Sequence, residues 1–65
     1  MKTRIFVWTP NGELEFEGDT PEEAHKVLKS TLRKAGVSIK KLRFDREVEF
    51  NGELHIMYWT KEAIQ

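Results

Sequence analysis

Apolar and polar residues alternate near both ends of the chain and recur at helical spacing between them. "RIFVW" runs into "TPNG" and out through "ELEFE", and "LRFDREV" runs into "EFNG" and out through "ELHIMYW". Two alternating segments around a Gly-containing turn are the pattern of a β-hairpin. The tetrapeptide Asn-Gly-Glu-Leu serves both turns, at Asn11–Leu14 and Asn51–Leu54. At the first, Pro10 suits the second position of a type I turn and Gly12 can close it as a bulge. That connection pairs Thr9 with Glu13, Trp8 with Leu14 and Phe6 with Phe16. Phe6, Trp8, Leu14 and Phe16 then face the core, and Ile5, Val7, Glu13, Glu15 and Glu17 face away.

At the second turn Asn51-Gly52 invites a two-residue type I′ connection. With Val48 opposite His55 and Glu47 opposite Ile56, however, that register leaves apolar residues on both faces. A longer loop with Gly52 as a bulge pairs Val48 with Leu54, Arg46 with Ile56 and Phe44 with Tyr58, and it separates polarity better. It predicts Leu42, Phe44, Val48, Leu54, Ile56 and Tyr58 on the core face, with Glu47 beside His55, Asp45 beside Met57 and Arg43 beside Trp59 on the other. The repeat is then turn chemistry: a glycine bulge, then a strand that sends Glu outward and Leu inward.

Between the hairpins, "GDTPEEAHKVLKSTLRKAGVS" reads as a helix. Thr20 suits the N-cap, Pro21 the first helical position, and Glu23 completes a capping box. Ala24, Val27, Leu28, Thr31, Leu32 and Ala35 recur at helical spacing as one buried stripe. Gly36 ends the helix, with basic residues before it. The chain therefore predicts one domain, with strands at about 2–9, 13–18, 40–49 and 53–60 and a helix at about 21–35.

The resulting class is α+β: a two-layer ββαββ domain, its four-stranded mixed sheet covered on one face by one helix. A right-handed crossover through the helix makes the first and last strands parallel neighbours in the centre, in the order 2-1-4-3. This layout, with "GDTPEEA" leading into the helix, resembles the β-grasp of ubiquitin-like folds and of bacterial immunoglobulin-binding domains. The resemblance spans the whole chain but rests on layout and on no motif. The ending "KEAIQ" lacks the Gly-Gly tail of a conjugated modifier.

Composition narrows the class further. At 65 residues without cysteine, the core must hold the fold with no disulfide and no thiolate-bound metal. Hydrophobic residues at 38% and charged residues at 34% predict a soluble globular domain, cytoplasmic if natural. The apolar run Ile5–Trp8 is too short for a signal peptide, and no stretch approaches a membrane span. Agreement of caps, turns and alternation is also the pattern of designed or redesigned sequences. Zero net charge, with His55, Met57 and Trp59 on the uncovered face, runs against that origin.

Candidate chemistry is sparse. His25 and His55 are the two histidines, and neither falls beside Ser30 or Ser38. His55 opposite Glu47 reads as a cross-strand pair rather than an acid–base dyad. Glu22 and His25 stand three apart on the helix, too few ligands for a metal site. Gly12, Gly18, Gly36 and Gly52 stand singly at turns and caps, not as a phosphate loop. The sequence predicts no catalysis and no cofactor.

Two surfaces remain. With the first and last strands adjacent, the open sheet face carries Ile5, Val7, Arg43, His55, Met57 and Trp59, an apolar strip with a polar rim suited to another protein or to a second copy. The alternative is a nucleic-acid surface formed by Lys26, Lys29, Arg33, Lys34, Lys40, Lys41 and Arg43. Overall neutrality weakens that alternative, as does the lack of any aromatic residue among these cations in sequence.

Overall fold

The computed structural model describes residues 1–64. Strand β1 (Thr3–Thr9) and β2 (Gly12–Gly18) form one hairpin, α1 (Pro21–Ala35) follows, and β3 (Arg43–Phe50) and β4 (Glu53–Trp59) form the second. The sheet order is β2-β1-β4-β3, with β1 parallel to β4 and both hairpins antiparallel. The two-layer α+β layout read from the sequence is the one adopted. Lys40 and Lys41, expected to begin the third strand, lie instead in a short 3-10 turn, Ile39–Lys41, capped by the Ser38 hydroxyl, which accepts from the Lys40 amide.

The helix forms where its caps place it. The Thr20 hydroxyl accepts from the Glu23 amide at 3.2 Å, and the Glu23 carboxylate accepts from the Asp19 amide at 3.1 Å. At the other end Gly36 is left-handed, and the Val37 amide donates to the Leu32 carbonyl. Ala24, Leu28 and Leu32 are buried. Val27, expected in the same stripe, is 45% exposed. Successive helical residues lie about 100° apart, so turning His25 toward Tyr58 carries Val27 round to water.

Both hairpins depart from the expected register. The first connection holds two residues, Pro10 and Asn11, with Thr9 opposite Gly12, Val7 opposite Leu14 and Ile5 opposite Phe16. The Thr9 hydroxyl donates to the Gly12 carbonyl and accepts from the Asn11 amide, which fixes the short turn. A slip of one residue turns every side chain of a strand to the other face. Thr3, Ile5 and Val7 therefore point into the core with no exposed surface, and Phe6 and Trp8 point away from it.

Close approach of the helix favours this phase. A side-chain carbon on Gly18 would stand 2.4 Å from the Ala24 amide nitrogen, so β2 and the start of α1 touch through backbone. Ile5 and Val7 are packed in one cluster with Ala24 and Leu28.

The second connection is the two-residue Asn51-Gly52 turn, with φ of 51° and 76° as a type I′ turn requires. Val48 faces His55, Glu47 faces Ile56 and Glu49 faces Leu54. The expected pairs of Val48 with Leu54, Arg46 with Ile56 and Glu47 with His55 do not form. A bulge at Asp45 then restores the expected pairs of Phe44 with Tyr58 and Arg43 with Trp59. Glu47 and Glu49 lie on the helix side of the sheet yet stay exposed, because α1 packs on β2 and β1 and leaves edge strand β3 uncovered.

The core comprises Ile5, Val7, Phe16, Ala24, Leu28, Leu32, Ile56 and, from the C-terminal tail, Ile64. Leu14, Leu42, Leu54 and Tyr58 pack at its margin. Ile5→Ala is expected to cost about 2–5 kcal/mol in urea unfolding, as a fully buried side chain should. Gly18→Ala is expected to cost more than about 2 kcal/mol, because only backbone can yield there. Stability unchanged in both would contradict this packing.

Candidate functional site

The β1 register rebuilds the open face of the sheet. Ile5 and Val7, expected on it, are buried under the helix. Phe6 and Trp8 stand there instead, joined by Val48 and Phe50 of β3. His55, Met57, Trp59 and Arg43 lie on the open face as expected.

Strand pairing arranges these side chains in rows across the sheet. One row runs Glu13, Trp8, Trp59, Arg43, and the next runs Glu15, Phe6, Met57, Arg46. A third runs Glu17, Arg4, His55, Val48. The face thus has an acidic edge on β2, an aromatic centre on β1 and β4, and two arginines on β3. Trp8 is 52% exposed, Phe50 57% and Trp59 42%, so the long side chains around them do not cover them.

At the opposite end from the tryptophans the open face is charged and internally compensated. The Arg4 guanidinium reaches Glu15 at 2.9 Å, Glu53 at 3.1 Å and Glu17 at 3.6 Å, and Lys2 reaches Glu17 at 3.1 Å. His55 Nε2 lies 3.3 Å from the Glu53 carboxylate, between the rings of Phe6 and Phe50. The His55 hydrogen bond, with Arg4 adding to it, holds the Glu53 carboxyl below the ordinary carboxylate range against the opposing effect of partial burial. These ion pairs and hydrogen bonds order the side chains at this end of the face.

The basic residues are spread along the helix and the segment that follows it. Lys29 and Arg33 border a shallow hollow of about 290 Å³ floored by Leu32, Val37 and Ile39. Lys40, Lys41 and Arg43 border a cleft of about 660 Å³ with Ser38, Trp59, Thr60, Lys61 and Glu62. Lys26 and Lys34 are exposed on the helix and line neither. The cleft adds a cation, Lys61, and an aromatic neighbour, Trp59, that spacing along the chain did not reveal.

No family model, curated protein or solved structure matches this chain.

His25 is engaged on the helix side. Its Nδ1 donates to the Pro21 carbonyl at 2.9 Å, which leaves Nε2 to accept from the Tyr58 hydroxyl at 3.0 Å in the neutral ring. Among the described residues no three His, Asp or Glu side chains gather as a metal would require. Burial, with Glu47 contributing, pushes the Tyr58 phenol up from its ordinary value. The folded state therefore favours the neutral phenol, and stability falls as pH rises past the unfolded value of about 10. Tyr58 is the single tyrosine, so ultraviolet titration reads it alone. It should ionise at higher pH folded than in urea, and Glu47→Gln should recover part of the difference. Equal titration in the two states would contradict the packing around Tyr58.

Proposed function

We propose that this chain is a small non-catalytic scaffold that binds protein through the open face of its sheet. The observation that carries this reading is the uncovered group of Phe6, Trp8, Val48, Phe50, Met57 and Trp59 on one face. Contiguous apolar surface with a charged rim is the mark of an interface, and Trp, Met and Arg are the residues interfaces favour. Both histidines have structural partners, which supports a reading without acid–base chemistry.

The cleft around Trp59 favours a second reading, a phosphate-bearing ligand such as single-stranded nucleic acid. Lys40, Lys41, Arg43 and Lys61 would meet phosphates and Trp59 would stack on a base. Lys40→Glu with Lys41→Glu should abolish salt-sensitive binding of an oligonucleotide under this reading and leave a sheet-face protein contact intact.

A contact surface is maintained for a partner and contributes little to folding alone. Trp8→Thr and Phe50→Thr are expected each to cost less than half of what Ile5→Ala costs, measured by circular dichroism at about 1 μM to keep any association out of the reading. Equal or larger losses would make the open face a second core and overturn its role as a binding surface.

A further inference from the structure

We infer that the open face binds a second copy of this chain, in a two-fold dimer whose dyad lies between the stacked sheets and runs along the strands. This rests on the reading of that face as a protein-contact surface and names its partner.

The order of side chains within the rows selects this partner. In two successive rows the sequence across the sheet is acid, aromatic, apolar, base: Glu13, Trp8, Trp59, Arg43, then Glu15, Phe6, Met57, Arg46. A two-fold interface is self-complementary, so a surface that opposes itself must present the inverse of its own pattern. Each of these rows does so when reversed. A dyad along the strands lays each row on its own reversed copy. Glu13 then meets the partner's Arg43, Trp8 meets the partner's Trp59, and Glu15 meets the partner's Arg46. A dyad across the strands would instead lay the acidic edge on the acidic edge of the partner. Like charges opposed at an interface disfavour association, so the charge pattern selects the first arrangement.

Two further features fit it. Glu13 and Arg43 make no ion pair among the described residues, so both are free to bond across the interface. Aligned sheets pack about 10 Å apart with strands about 30° off parallel, so contact is closest at the centre and falls away toward the ends. The end left wet would be that of Lys2, Arg4, Glu17 and Glu53, whose charges are already paired and costly to desolvate.

The face measures about 19 Å across four strands and about 23 Å along seven residues. With one end left wet, two copies bury less than about 1,000 Å², the size of a weak or transient contact, and the dimer should form only well above about 1 μM.

The test is sedimentation across a concentration series of the full chain, Glu13→Arg, Arg43→Glu and the two substitutions together. Both residues are exposed, so each variant should keep the native circular dichroism spectrum. Each single substitution sets two like-charge contacts per dimer and should weaken association at least about tenfold. The pair together should restore it to within about threefold of the native chain. A native chain that stays monomeric to about 1 mM, or single substitutions without effect, or a double substitution without rescue, overturns the proposal. The stability of Trp8→Thr and Phe50→Thr separates the two levels. A monomeric chain with those variants stable rejects the second copy and leaves the contact surface, whereas large losses in those variants reject both.

Discussion

The closeness of α1 to the sheet organises the rest of the molecule. Backbone meets backbone at Gly18 and Ala24, and Thr3, Ile5 and Val7 are the fully buried side chains of β1. The short Pro10–Asn11 turn supplies the register that buries those three residues. Strand side chains alternate strictly, so the same choice sends Arg4, Phe6 and Trp8 to the opposite face. The tight core and the aromatic open face are therefore two consequences of one register.

Helix width accounts for much of what remains. One helix covers β2 and β1, reaches β4 at Ile56 and Tyr58, and leaves β3 bare. An edge strand in water on both sides is not forced to sort its polarity, so β3 carries Glu47 and Glu49 on the helix side and Val48 and Phe50 on the other. That freedom lets the type I′ turn keep its preferred two-residue geometry, and the bulge at Asp45 brings Phe44 back beside Tyr58, their ring centroids 6.0 Å apart.

These facts explain what could be read in the chain and what could not. The helix was legible because its signals are local: Thr20, Pro21, Glu23 and Gly36 act within a turn of themselves. The layout was legible because alternation and length suffice for it. The phase of β1 was not, because Thr3, Ile5 and Val7 and the alternate set Arg4, Phe6 and Trp8 both contain apolar side chains, and only turn length and helix distance separate them. The second register was not legible either, because β3 has no covered face and its polarity need not sort. Ile64 and Lys61 lie beyond the last strand, and nothing in their spacing shows that one closes the core and the other lines the Trp59 cleft. Of the open-face site, Arg43, His55, Met57 and Trp59 were legible from β4 and the start of β3, while Phe6 and Trp8 took the places expected of Ile5 and Val7.

Functional readings of the open face inherit this dependence. With Ile5 and Val7 outside, β1 would give the strip only aliphatic side chains; with Phe6 and Trp8 outside, both central strands give it aromatic rings. The direct measurement is a set of nuclear Overhauser contacts from the β1 side chains. Methyl protons of Ile5 and Val7 should contact Ala24 and Leu28, and the Trp8 indole should contact Trp59 and no residue of α1. Contacts from Phe6 or Trp8 to Leu28, with Ile5 free of the helix, would contradict the register and the open face built on it.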